Sequence, residues 1–329
     1  IPLRQLVYRV HPLPESMRPL VWDFGQLTDH TEELYIEKIV RRFMVTPMTD
    51  LSEPSVHVTL TNGAQASCIA RVLSASQKYM REQKNECSFV SLRDVERVMK
   101  VIIWFYSNTK LIDEVIKEGN NENEHGFDQF RPHLIPIVRA VILGIGVCYY
   151  ARLNERDAYC QYIQKYFDRS FPLPGGALRM KNEIIRCQRG FLKDIQLGEN
   201  IARNTALGEN VFMMALCTEL RIPLFVVGKP GSSKSLAKDV ISNNMKAGNS
   251  QSKMFKNLKQ IYMQSYQCSP LSTPEGIEST FRRCAKVQKD KDLEKFVSVV
   301  VLDGIGLAED SPLMPLKTLH PLLEDGTAT

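Results

Sequence analysis

The run "IPLFVVG", residues 222–228, leads straight into "KPGSSKS", and no other stretch constrains the fold as much. Residues 222–227 are short, apolar and β-branched, which predicts a strand buried on both faces. The run ends at Gly228, Gly231 follows Pro230, and Lys234-Ser235 open a helix-compatible stretch. Strand, glycine loop, helix is the order that turns successive backbone N–H groups toward an anion at a helix N-terminus. The spacing is that of the phosphate-binding loop G-x-x-x-x-G-K-[ST], with Ser233 where the second glycine belongs. A serine there is strained if its φ must be positive. The pattern assigns Gly228, Lys229, Pro230, Gly231, Ser232 and Ser233 to the wrap around the phosphates. Lys234 would reach the β- and γ-phosphates, and Ser235 would set its hydroxyl on Mg. The expected cofactors are therefore ATP and Mg. The alternative is a loop that has this composition by chance; the apolar run before it and the helix after it favour the nucleotide site.

A phosphate loop needs an acid at the end of another strand to hold the metal, directly or through water. "FVSVVVLD", residues 296–303, is that strand and Asp303 is that acid. In hydrolytic sites of this class the next residue is a glutamate that polarises water; here it is Gly304. Glu309 and Asp310 follow five and six residues later, beyond the expected strand tip and poorly placed to replace it. The sequence thus points to nucleotide binding without efficient hydrolysis, and to no certain catalytic residue.

These motifs sit in the second of two differently patterned halves. From about residue 205 onward, apolar runs at 222–228, 260–269 and 296–304 alternate with helical stretches after Lys234, at 273–288 and at 314–324. Thr273, Pro274 and Glu275 make a helix start: cap, fixed φ and first-turn acid. Strand–helix alternation predicts a parallel α/β layout. Residues 1–200 read instead as nearly all helix, with apolar stripes at helical spacing in 28–44, 64–83 and 91–108 and further helices near 133–152, 155–167 and 180–195; another at 208–221 leads into the run at 222. Residues 1–20, 46–55 and 117–126 read as irregular or loop segments. The fold class is therefore α/β plus α.

Composition narrows the function. Net charge is +5, yet residues 229–260 hold seven lysines and one aspartate, so the positive charge is concentrated around the loop. That suits a small anionic ligand; nucleic acid would call for Arg/Lys interleaved with aromatics. None of the eight cysteines forms a C-x-x-C pair and no histidine lies within five residues of one, which argues against zinc and for reduced thiols in a cytosolic or nuclear compartment. No run of 18 apolar residues is present; "LIPIVRAVILGIGVCYY" is broken by Pro136 and Arg139 and reads as a buried helix. The start, "IPLRQLVYRV", has neither an initiator Met nor a signal-peptide layout, as expected of the middle of a longer chain.

The strings "ENVFMMALCTELRIPLFVVGKPGSSKSLAK", "QCSPLSTPEG" and "VVVLDGIGLAEDSPLMPLKTLHPLLEDG" resemble the mysterin family, giant RING-type ubiquitin ligases with a dynein-like string of AAA+ modules. "YRVHPLPESMRPLVWDFGQL" and "ECSFVSLRDVERVMKVIIWFY" resemble it too. The resemblance implies that residues 1–205 are the end and helical lid of one AAA+ module plus a linker. Residues 206–329 would be the first part of a three-layer P-loop module, stopping before its sensor strand. In "SLRD" it implies that Arg93 senses the nucleotide of the preceding module; a surface arginine in a capped first turn is the other reading. The family has Asp-Glu where this chain has Asp303-Gly304. The implied partners are neighbouring AAA+ modules, with ubiquitin machinery engaged only through domains not in this sequence. The implied location is cytoplasm and the lipid-droplet surface. The competing function is a non-catalytic helical scaffold with a vestigial nucleotide site.

Overall fold

The computed structural model describes residues 13–22, 27–45, 63–83, 90–118, 134–195, 197–198 and 201–324. The loop expected at 46–55 and Cys87 lie outside these residues, as do residues 1–12 and most of the loop expected at 117–126.

The helical part is built from α1 (Asp29–Val45), α2 (Gly63–Arg81), α3 (Leu92–Ser107), α4 (Thr109–Glu118), α5 (Pro136–Cys148), α6 (Arg156–Ile163), α7 (Gly176–Lys193) and α8 (Thr205–Glu219). Helix α3 begins in a capping box: the Asp94 carboxylate accepts from the Ser91 backbone N–H at 2.8 Å, and Val95, Val98, Met99 and Ile102 are buried. Helix α5 carries Pro136 at its start, where no N–H is needed. It is apolar nearly all round and buried along its length, as a helix enclosed by others must be. Its closest packing is against α3, where a Cβ on Gly144 would lie 2.5 Å from Ile102 Cγ1. Among the described residues no helix is long and apolar enough to cross a membrane.

The few charges inside this body are paired. Arg139 on α5 bonds Asp113 on α4 and donates to Glu183 on α7 at 3.1 Å; Arg179 adds a 2.8 Å contact to Glu183. An unpaired buried Glu183 would be strongly destabilising, so the pairing fixes how α4, α5 and α7 meet. The Arg203 guanidinium caps the C-terminal end of α7, bonding the carbonyls of Leu192, Lys193 and Ile195; the last carbonyls of a helix have no partner within it.

The second half contains α9 (Lys234–Asn244), α10 (Lys253–Lys256), β1 (Gln260–Gln267), α11 (Pro274–Gln288), β2 (Phe296–Asp303) and α12 (Leu319–Glu324). Helix α11 starts at the predicted cap, Thr273 Oγ1 accepting from Gly276 N at 3.1 Å. Strands β1 and β2 are parallel and in register from Gln260 opposite Phe296 to Gln267 opposite Asp303, with α11 as the crossover packed on both. Phe191 of α7 meets Phe212 of α8 edge-on at 5.0 Å and Phe255 of α10 at 6.4 Å. One hydrophobic core thereby runs from α1 to Leu258.

The expected third strand is not present. Among the described residues the sheet has two strands, β1 and β2, and residues 222–228 form no ladder with either. These residues alternate between half-buried and exposed, with Phe225 63% and Val227 93% exposed. Their β-branched composition is suited to a strand buried on both faces, but a strand exists only where a neighbour takes its N–H and C=O groups. The sheet as observed is thus small and one strand narrower than the sequence pattern suggests.

Candidate functional site

Residues 228–235 form the turn that joins the unpaired run to α9. Two of its positions require the left-handed region. Gly231 has φ 82°, and Ser233, the N-cap of α9, has φ 58°. The glycine that the motif prescribes at 233 is therefore demanded by the backbone, and the serine carries the strain the sequence warned of. Gly228 serves a different need: a Cβ there would lie 2.7 Å from Ser232 Oγ.

Lys234 folds over the loop. Its ammonium donates to Gly228 O at 2.6 Å, Lys229 O at 2.8 Å and Ser232 Oγ at 3.0 Å, so all three of its protons lie within the loop it opens onto. Asn210 of α8 steadies the turn by donating to Ser232 O at 2.8 Å. Ser235 is exposed in the first turn of α9. The backbone N–H groups of that turn have no partner inside the helix and carry its positive end, so the arrangement suits an anion.

Asp303 closes β2 beside this helix. Its backbone O accepts from Cys268 N at 2.8 Å, and its carboxylate Oδ2 accepts from Lys238 of α9 at 2.8 Å. The register of the sheet and the single helical turn between Lys234 and Lys238 thus bring the predicted acid to the phosphate-loop helix. They do so through a lysine that the sequence reading passed over. Lys238 stands four residues after Lys234, on the same helix face, and that spacing could have found it. Asn210 had no comparable signal.

Gly304 has φ 67° and heads the 3-10 turn Ile305–Asp310, on which Glu309 is exposed. A Cβ at 304 would meet only ordinary contacts, the nearest being Gln267 Nε2 at 3.4 Å. The departure from Asp-Glu is therefore conformational as well as chemical. The chain turns left-handed right after Asp303, a geometry that a glutamate would resist. Arg93 is exposed in the first turn of α3, a helix packed against α1, α4 and α5.

No group of three or more His, Cys, Asp or Glu side chains that could hold a metal occurs among the described residues. The seven described cysteines are free, six of them buried. Burial pushes the Cys160 and Cys217 thiols up to about 12, and burial together with the nearby Asp303 charge raises that of Cys268. Burial of this kind disfavours the thiolate, the reactive form of cysteine.

Residues 200–329 match the family described as RNF213 AAA domain. Across 99% of its length the chain is 53% identical to the zebrafish (Danio rerio) E3 ubiquitin-protein ligase rnf213-beta, covering 6% of that protein. It is 51% identical to mouse E3 ubiquitin-protein ligase RNF213 and 50% identical to the human protein, again over 99% of the chain and 6% of each relative. The chain thus spans about 6% of the length of the relatives it matches.

Proposed function

The chain belongs to the RNF213 (mysterin) family as an AAA+ segment, and on that premise we propose that it binds ATP through Gly228–Ser235 and hydrolyses it poorly. Residues 206–329 are read as the first part of an AAA+ module, and residues 1–205 as the end and lid of a preceding one, with Arg93 as the candidate lid sensor. The observation that carries the nucleotide reading is the loop itself: left-handed turns at Gly231 and Ser233 feeding an 11-residue helix, with Lys234 folded over the mouth. A bound phosphate would take over the Lys234 protons now given to Gly228 O, Lys229 O and Ser232 Oγ, exchanging neutral acceptors for an anionic one.

The residues present fit a nucleotide better than they fit its metal. Ser235 is free to approach a cation, but Asp303 already accepts from the Lys238 ammonium. A divalent ion on the same carboxylate would meet that positive charge. Poor hydrolysis follows from Gly304, since no side chain there can polarise water, and a missing positioning group typically lowers turnover by ~10²–10⁴-fold.

Isothermal titration of ATP into the chain and into Lys234→Ala tests the reading. Losing the ammonium should weaken binding about tenfold or more. Heat of binding absent from the parent chain would favour the other reading, a helical scaffold whose loop is vestigial. Contact with neighbouring AAA+ modules and a place in the cytoplasm or at lipid droplets are carried over from the family resemblance and belong to the same proposal.

A further inference from the structure

Lys238 and Asp303 are held by separate rigid elements. On α9, Ala237, Val240 and Ile241 are buried in the core and fix the helix that presents Lys238. At the end of β2, the parallel register and the Cys268 N–H fix Asp303. The ion pair between them spans 65 residues of sequence and is largely shielded, with the lysine side chain 20% and the aspartate 33% exposed. Its position is one helical turn from Lys234, on the helix that starts at the phosphate loop. A magnesium ion ligated by Asp303 would sit ~2 Å from the carboxylate oxygen. It would then be within close range of the ammonium, and the two cations would have to share one carboxylate.

We propose that Lys238 stands in for the divalent cation at Asp303, so that this site takes a nucleoside triphosphate without needing magnesium. Lys238 supplies one fixed positive charge where other phosphate loops recruit a mobile double charge. It neutralises Asp303, which would otherwise repel the phosphates, and leaves the site able to hold nucleotide but without a metal to activate its chemistry. Lys238 is thus a positioning and specificity residue that sets metal dependence, and its role rests on the nucleotide-binding reading given above.

The test is calorimetric titration of ATP into the full chain, once with excess EDTA and once with excess MgCl2, for the parent, Lys238→Met and Lys238→Arg. Circular dichroism confirms folding of each. The parent should bind ATP with affinities within about threefold in the two media. Lys238→Met should lose about tenfold or more in EDTA and recover with MgCl2, because an unpaired Asp303 repels the nucleotide until a cation covers it. Lys238→Arg keeps the charge and should keep the indifference to magnesium. A parent chain that binds tenfold tighter with magnesium overturns the proposal while leaving nucleotide binding intact. So does a folded Lys238→Met that remains indifferent to magnesium. If Lys238→Met does not fold, the parent and Lys238→Arg decide alone. A parent that binds ATP in neither medium removes the nucleotide reading and this proposal together.

Discussion

The helical body and the phosphate-loop half solve the same problem unequally. In the body, each helix satisfies its own backbone, so side chains alone decide the packing. The body closes around Phe105, Tyr149, Tyr159 and Phe191, all under 2% exposed. In the other half, the apolar run at 222–227 has side chains suited to an interior, yet Val227 is 93% exposed. A strand cannot satisfy its backbone by itself, and two strands do not make a closed layer. Apolar composition therefore means core in the first region and an unpaired, partly exposed run in the second.

The sharpest way to break this contrast is to truncate one apolar residue on each side. Phe191→Ala removes a ring that touches both Phe212 and Phe255 and should cost about 3–5 kcal/mol. Val227→Ala, equally apolar on paper, should fall within about 0.5 kcal/mol of the parent. Urea unfolding of the two variants measures both; a comparable loss at Val227 would mean that the run is buried in solution.

A second pair of substitutions contrasts two of the left-handed positions at the site, Gly304 and Ser233. Gly304→Glu supplies the glutamate expected of a hydrolytic site but places a side chain at φ 67°, which should lower stability by about 1–2 kcal/mol. ATP affinity should change only a few-fold, because a water-polarising group acts mainly in the transition state. Thermal melting and ATP titration read the two effects separately; an unchanged melting temperature would mean that the turn re-forms at no cost. Ser233→Gly should do the reverse and raise stability by about 1 kcal/mol, since glycine tolerates φ 58° without strain. A loss of stability there would show that the serine side chain holds the loop in a way its strain conceals.

The smallest effect lies at the seam between the halves. Glu219, at the end of α8, accepts from the Lys259 N–H at 2.8 Å just before β1. Burial, outweighing that hydrogen bond, raises its carboxyl above the ordinary value. The folded state then binds the proton more tightly than the unfolded chain. Stability from this group is full below the ordinary carboxylate pKa and declines as pH rises through the raised folded value. Glu219→Gln keeps an acceptor for Lys259 and should flatten that decline, raising stability near neutral pH by a few tenths of a kcal/mol to about 1 kcal/mol. Parallel melts at mildly acidic and neutral pH check it; identical slopes for parent and variant would remove Glu219 as the source.

Sequence alone determined what depends on near neighbours. The loop at 228–235, the strain of a serine at 233 should its φ be positive, the cap at Thr273, the buried helix within 133–152 and the strand ending at Asp303 were all legible. Each follows from dihedral preference, capping or periodicity over a few residues. The tertiary structure decided what depends on distant partners. It left 222–228 without a ladder, set Asn210 under the loop, turned the chain left-handed at Gly304 and gave Asp303 to Lys238, 65 residues away in sequence. Strand pairing and ion pairing are contacts between segments, and a residue's own composition does not state which segment will face it. For that reason the turn at 228–235 and the helix after it could be read from their letters, while the lysine that stands opposite Asp303 could not.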